Sequence, residues 1–258
     1  MSDFYDILGH DAQTTINSGY YNSFISTPSL HLSLKNAILE CNKNSVIAEI
    51  KLASPTLGAI RENRNLTEIA QAMEKGGAIA ISVLTEPRHF NGSIDTLSIV
   101  RRAVKLPLLM KDIILSKTQI NTAVSIGADA VLLIKTLYDR GYGEVDLDSM
   151  IELVHTKGLE VLLEVHTEEE FKAAKNTKAD IIGINNRNLA DLKIDLNNTK
   201  NILQTNSSKD LVIISESGIY TPGDLHFISQ TGVSAFLIGS SIMLTENVEE
   251  KVREFVNA

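Results

Sequence analysis

Short, almost wholly apolar runs alternate along this chain with longer stretches in which apolar and polar residues mix at helical spacing. Eight such runs stand out, at 46–52, 78–85, 106–114, 128–136, 159–165, 179–185, 210–216 and 233–239. Continuous apolar character, rather than strict alternation, is what a strand buried on both faces requires. The runs begin roughly 20 to 32 residues apart, which leaves room for one helix in each interval. The intervals carry helix boundary signals. Thr167 with Glu170 reads as a capping box, and Thr221 followed by Pro222 reads as an N-cap with proline at the first helical position. Glycines at 76–77, 127, 158 and 232 stand as helix stops just ahead of the next apolar run. Strand and helix in strict succession specify parallel βαβ units. Eight of them predict an α/β fold of the closed (β/α)8 type, a TIM barrel, over an open doubly wound sheet. No Gly-x-Gly-x-x-Gly turn follows the first run, so a dinucleotide-binding sheet is disfavoured further.

The pattern predicts one domain over 1–258, with the barrel at 45–258 and an N-terminal extension at 1–44. Residues 29–42 read as an amphipathic helix, and the SGYYNSF before them is aromatic and irregular. The extension is expected to plug one end of the barrel; the alternative is that part of it borders the substrate.

Composition narrows the picture. Hydrophobic residues make up 43% and charged residues 22%, enough to fill a full core. The net charge of −8 offers no electrostatic footprint for nucleic acid. Cys41, the single cysteine, can form no intramolecular disulfide and no structural zinc site by itself. The N-terminus lacks a basic stretch followed by an apolar run, and no apolar stretch reaches membrane-spanning length. A cytoplasmic protein with no membrane partner is the expectation.

Charge then reappears where an apolar barrel should have none. Active sites of such barrels lie at the carboxyl ends of the strands. Glu49 and Lys51 close the first run on one face, Lys111 the third, Glu164 the fifth, Asn185 with Arg187 the sixth, and Glu216 with Ser217 the seventh. A lone lysine or glutamate at a strand end is ordinarily solvated or ion-paired. A group of them set into the most apolar segments points to chemistry, because such residues are almost never buried unless paired and shift one another's pKa values when they are. The seventh run is followed by Ser-Glu-Ser-Gly-Ile (215–219) and the eighth by Gly-Ser-Ser (239–241). Each alone is a routine turn. Together at these two strand ends they predict a phosphate cradle of backbone N–H groups, with Gly218 and Gly239 admitting the anion and Ser54-Pro55 as a candidate third side. His89, His155, His166 and His226 show no catalytic pairing.

The segments AEIKLASPTLG (48–58), LMKDII (109–114), LLEV (162–165), GINNRNL (183–189), SESGI (215–219) and IGSSIM (238–243) resemble the motifs of indole-3-glycerol-phosphate synthases. Six motifs in register, spanning 46 to about 243, make the resemblance specific. It implies a (β/α)8 lyase of tryptophan biosynthesis. Such an enzyme converts 1-(2-carboxyphenylamino)-1-deoxyribulose 5-phosphate to indole-3-glycerol phosphate, with loss of CO2 and water and without metal or organic cofactor. By the same resemblance Lys111 is the acid at the ketose oxygen. Lys51 pairs with the substrate carboxylate and serves again in dehydration. Glu164 exchanges the dehydration proton, and Glu49 sets the charge of Lys51. Asn185, Arg187, Glu216 and Ser217 orient the substrate. Ser54, Gly218, Gly239 and Ser240 hold the phosphate, and Phe90 is the candidate wall against the aryl ring. The resemblance carries nothing on contacts with other enzymes of the pathway. The chain departs from the pattern at Ile113, where many members have phenylalanine, and at Ala53, where some have lysine; the first 45 residues match loosely.

Two rivals are weighed. Phosphoribosylanthranilate isomerase uses a cysteine at the end of strand one, whereas Cys41 precedes that strand. A catalytically silent phosphometabolite binder would have lost at least one of Lys51, Lys111 and Glu164.

Overall fold

Each of the eight apolar runs contains a strand, shorter than the run because only part of it enters the hydrogen-bonded ladder. The computed structural model describes residues 3–24, 26–28, 30–54, 58–60 and 65–258. The strands are β1 (Val46–Ile50), β2 (Ala80–Leu84), β3 (Leu108–Lys111), β4 (Ala130–Ile134), β5 (Glu160–Val165), β6 (Ile181–Asn185), β7 (Ile213–Glu216) and β8 (Ala235–Ile238). All pair in parallel and close into a barrel in the order β1-β8-β7-β6-β5-β4-β3-β2. A two-residue ladder between Ala53–Ser54 and Gly58–Ala59 follows β1.

The helices are α1 (Phe4–Asn17), α2 (Leu34–Leu39), α3 (Leu66–Gly76), α4 (Ile94–Ala103), α5 (Lys117–Ser125), α6 (Lys135–Asp139), α7 (Leu147–Thr156), α8 (Glu168–Ala174), α9 (Asn197–Thr205), α10 (Pro222–Ser229), α11 (Ser240–Met243) and α12 (Val248–Val256). Thr167 and Thr221 cap α8 and α10 as expected, each in a reciprocal box with Glu170 and Asp224. The glycine stops are left-handed, with φ of 98° at Gly77 and 76° at Gly158. Among the described residues no helix is long and apolar enough to cross a membrane.

Alternation along each strand divides the apolar residues between two cores. Outward residues such as Val46, Ala48, Val131, Val161 and Phe236 pack beneath the helices. Inward residues such as Ile47, Leu109, Leu132, Leu162, Ile214 and Leu237 fill the barrel itself.

The N-terminal extension divides between the two ends of the barrel. Leu34 and Ile38 of α2 join the inner core. Ser33 and the amide of Lys35 bond the carboxylate of Glu160 at the amino end of β5. Segment 30–42 is therefore the plug that the sequence predicts, although its helix covers only Leu34–Leu39. Helix α1 lies over the opposite end. Arg140, just after α6, bonds Asp3 (2.6 Å) and Asp6 (2.9 Å) at the start of α1. Arg88 (3.0 Å) and His89 (2.8 Å), just after β2, bond Asp11 farther along it. Gly9 admits this packing, since a Cβ there would sit 2.6 Å from the Tyr142 ring. The extension thus reaches both ends of the barrel, segment 30–42 at the amino end and α1 at the carboxyl end.

Candidate active site

The inward positions next to the carboxyl rim are Glu49, Lys111, Glu164, Asn185 and Glu216 from β1, β3, β5, β6 and β7. Parallel pairing with one register sets them side by side: Asn185 is opposite Glu216, and Glu49 opposite Ser82. Glu49, Glu164 and Glu216 are all buried. Lys111 Nζ lies 2.8 Å from Glu216 Oε2 and 3.3 Å from Glu49 Oε2, and Lys51 Nζ lies 3.4 Å from Glu49 Oε1. Two cations and two carboxylates thus alternate across the mouth of the barrel. Asn185 donates from Nδ2 to Glu164 Oε1 at 3.0 Å and accepts the Arg187 amide at 2.9 Å, so it holds both neighbours in place.

Burial and mutual charge set the protonation states. Burial alone would discharge Lys111, yet the carboxylates of Glu216, Glu49 and Glu164 outweigh it and push its pKa well above the usual lysine range. Lys51 goes the other way: burial, aided by Lys111 and Arg187, lowers it against the opposing pull of Glu49. The glutamate between them is held ionised. Burial would raise its pKa, but Lys111 and Lys51 bring it below the ordinary value. Glu164 is pushed up to about 7, by burial first and the nearby Glu216 second, against the pull of Lys111. It therefore exchanges a proton near neutrality.

This last shift has a thermodynamic consequence. The folded protein keeps a proton on Glu164 up to about 7, whereas the unfolded chain releases it near 4.5. The contribution of this group to stability is therefore greatest below the unfolded value and falls as pH rises through that window. Glu164→Gln, which cannot ionise, should raise the Tm relative to wild type more at about pH 8 than at about pH 4.5. An equal difference at both pH values would show that the Glu164 carboxyl is not perturbed.

Glycines make space for these carboxylates. A Cβ on Gly183 would lie 2.1 Å from Glu216 Oε1, and one on Gly239 would lie 2.5 Å from Glu49 Oε1. Gly239, read from sequence as admitting an anion, thus also makes room for Glu49. Gly183 and Ser82 carried no signal of their own, because a small residue inside an apolar run is ordinary. Gly183→Ala should displace Glu216 from Lys111, with activity lost by about tenfold or more and stability by about 1–3 kcal/mol. Activity assays beside thermal melts would check it.

Above the cluster the mouth opens into two joined cavities. The larger, about 520 Å³, is lined by Leu8, Leu84, Phe90, Ile113, Leu132, Ile134 and Leu189 together with Glu49, Lys51, Lys111 and Glu164. Leu8 comes from α1, so the extension roofs this space. Phe90 stands with its ring centroid 6.0 Å from Lys51 Nζ. Ile113 is in the wall and contributes an aliphatic surface. The smaller cavity, about 400 Å³, shares Glu49, Lys51, Lys111, Arg187 and Ser217, and is completed by Gly218, Ile219, Tyr220, Gly239 and Ser240.

Ser217 and Gly218 both take left-handed φ, 67° and 84°. The Ser217 carbonyl is held by Asn186 Nδ2 at 3.1 Å, which fixes this unusual turn. The first N–H groups of α11 have no acceptor within the helix. Ser54 is buried after β1 and lines neither cavity over the described residues; Pro55 lies outside them. Tyr220 lines the smaller cavity although nothing in its sequence context marks it. Of the histidines, His89 pairs with Asp11, His155 with Asp180, and His166 with the Asn185 carbonyl. Among the described residues no group of three or more His, Cys, Asp or Glu is arranged to hold a metal ion.

An apolar space and a polar space meet at Lys51, Lys111 and Glu49, with Glu164 on the apolar side, and these are groups suited to acid–base chemistry on a (β/α)8 barrel. The relatives say which. A family model described as indole-3-glycerol phosphate synthase matches residues 12–255. A protein of that name from Methanocaldococcus jannaschii is 45% identical over 87% of this chain and 83% of its own. One from Aquifex aeolicus is 43% identical over 86% of this chain and 84% of its own. The chain belongs to the indole-3-glycerol phosphate synthase family. Among solved structures, a thiamine phosphate pyrophosphorylase from Pyrococcus furiosus covers 86% of this chain and 96% of its own with a TM-score of 0.60 at 16% identity. An N-acetylmannosamine-6-phosphate 2-epimerase from Clostridium perfringens covers 84% and 93% with a TM-score of 0.61 at 14% identity. At such identities the likeness concerns the fold alone.

Proposed function

We infer that this chain is an indole-3-glycerol-phosphate synthase acting on 1-(2-carboxyphenylamino)-1-deoxyribulose 5-phosphate in the cytoplasm. The observation that carries the reading is Lys111 held between two buried carboxylates at the junction of an apolar and a polar cavity. The aryl ring occupies the larger cavity, against Phe90, Leu8 and Ile113. The phosphate occupies the smaller one, against the backbone at Gly218, Gly239 and Ser240. This orientation sets the ketose carbonyl over Lys111.

The aryl carbon that bears the carboxylate attacks the ketose carbonyl, forming a carbon–carbon bond and placing negative charge on the oxygen. An ammonium already in position stabilises that charge without reorganisation. The Lys111 proton passes to the oxygen because an alkoxide is far more basic than an amine, even one whose pKa its neighbours have raised. Lys51 meets the substrate carboxylate until it leaves as CO2, which restores aromaticity. The new hydroxyl then departs as water with a proton from an acid, while a base takes the proton from the adjoining carbon. Lys51, made more acidic by burial, and Glu164, poised near neutrality, are the pair suited to that exchange. Glu49 holds Lys51, and Asn185, Arg187, Glu216 and Ser217 fix the geometry.

Incubation with this substrate in the presence of a chelator, followed by indole fluorescence, tests the assignment. Steady growth of the indole signal is the expected result. Tight binding of indole-3-glycerol phosphate without turnover would make the chain a silent binder instead.

A further inference from the structure

The segment after β2 is organised around a single carboxylate, Glu86, which is 3% exposed. Its Oε1 accepts the amide of Arg88 at 2.8 Å; its Oε2 accepts those of His89 at 2.7 Å and Phe90 at 3.1 Å. The chain then closes the turn, with the Gly92 amide donating to the Glu86 carbonyl at 2.8 Å. A Cβ on Gly92 would come within 2.5 Å of the Leu84 carbonyl oxygen, so only glycine fits this return. Buried glutamates ordinarily need a cation. Glu86 is instead stabilised by three consecutive backbone N–H groups, an arrangement that fixes those residues as firmly as it satisfies the carboxylate.

The three residues so fixed face two ways. Phe90 lines the larger cavity beside Lys51. Arg88 and His89 reach outward to Asp11 of α1, and Phe4 of α1 meets the His89 ring edge-on, centroids 5.3 Å apart. The helix that supplies Leu8 to the roof is thus tied to the loop that supplies Phe90 to the wall. We propose that Glu86 is a positioning residue for the aryl end of the substrate, holding Phe90 and the α1 roof in register across the larger cavity. The proposal rests on the reading of that cavity as the aryl site. Glu86 also borders the larger cavity, but its proposed role is exerted through the loop that it orders, since a pre-ordered loop loses less freedom on binding.

Glu86→Gln keeps the size of the side chain but turns one acceptor oxygen into a donor. In this variant the amides of His89 and Phe90 should exchange hydrogen at least about tenfold faster, while the barrel strands stay protected. In the turnover assay KM should rise about tenfold with kcat changed much less, and inhibition by inorganic phosphate should be unaltered. Combining Glu86→Gln with Phe90→Leu separates positioning from general destabilisation. If Glu86 acts through Phe90, the double variant should be little worse than Phe90→Leu alone. Unchanged exchange at residues 88–90, additive effects on KM, or weakened phosphate inhibition would overturn the proposal. Absence of turnover in the wild type would instead strike the function, and the exchange measurement would still decide the role of Glu86.

Discussion

Lys111→Ala is expected to lower kcat by about a thousandfold or more while inorganic phosphate inhibits as it does the wild type. In the proposed mechanism the ammonium serves at two stages of one step: it stabilises the charge that grows on the ketose oxygen, then supplies the proton. Lys51 is held to Glu49 at 3.4 Å, with its ammonium turned to the aryl side against Phe90. The phosphate contacts proposed above come from backbone at the ends of β7 and β8, and Lys111 only borders that cavity, so phosphate binding should survive its loss. Removing Lys111 also strips Glu216 and Glu49 of their shared partner, which costs up to about 3–5 kcal/mol of stability when a buried pair is broken. Melts run beside the assay separate the two effects. Near-normal turnover by a folded Lys111→Ala protein would refute its assignment as the acid.

The second large effect is expected from Glu164→Gln. Its carboxyl is buried, tied to Asn185 at 3.0 Å, and poised at about 7, where donation and acceptance are both easy. Glutamine preserves the contact with Asn185 but can neither give nor take a proton. Turnover should fall by about a hundredfold or more with KM nearly unchanged. The loss should fall on dehydration, so quenched reactions ought to contain the ring-closed, decarboxylated alcohol before water has left. Accumulation of unreacted substrate alone would move Glu164 to the earlier step. The dependence of kcat on Glu164 ionisation should also vanish, removing one inflection near neutrality from the pH profile.

The barrel and its polar rim were legible in the sequence because both depend on local pattern. Apolar runs mark strands buried on two faces, and Glu49, Lys111, Glu164 and Glu216 stand out inside them as charges that only pairing can sustain. Thr167 and Thr221 announce helix starts through bonds made within one turn. What could not be read depends on contacts between distant segments. Nothing in the run IIGIN says that Gly183 leaves room for Glu216 on the next strand, and nothing in GSS says that Gly239 does so for Glu49. Glu86 looks like an ordinary loop glutamate until the loop folds back on it. Helix α1 was missed for a related reason: Gly9 interrupts its apolar pattern and makes sense only against the Tyr142 ring. The placement of α1 over the carboxyl rim depends on polar contacts of Arg140, Arg88 and His89, whose partners lie far apart in the chain.

The central claim is that one buried cluster closes the ring, releases the carboxylate and expels water. It is tested most directly with substrate labelled with 13C in the carboxyl group, with products followed by mass spectrometry at a catalytic amount of protein. One labelled CO2 is expected for each unlabelled indole-3-glycerol phosphate, with no label retained in the indole. Label retained in the product, or an isomerised ketose phosphate without CO2, would contradict it.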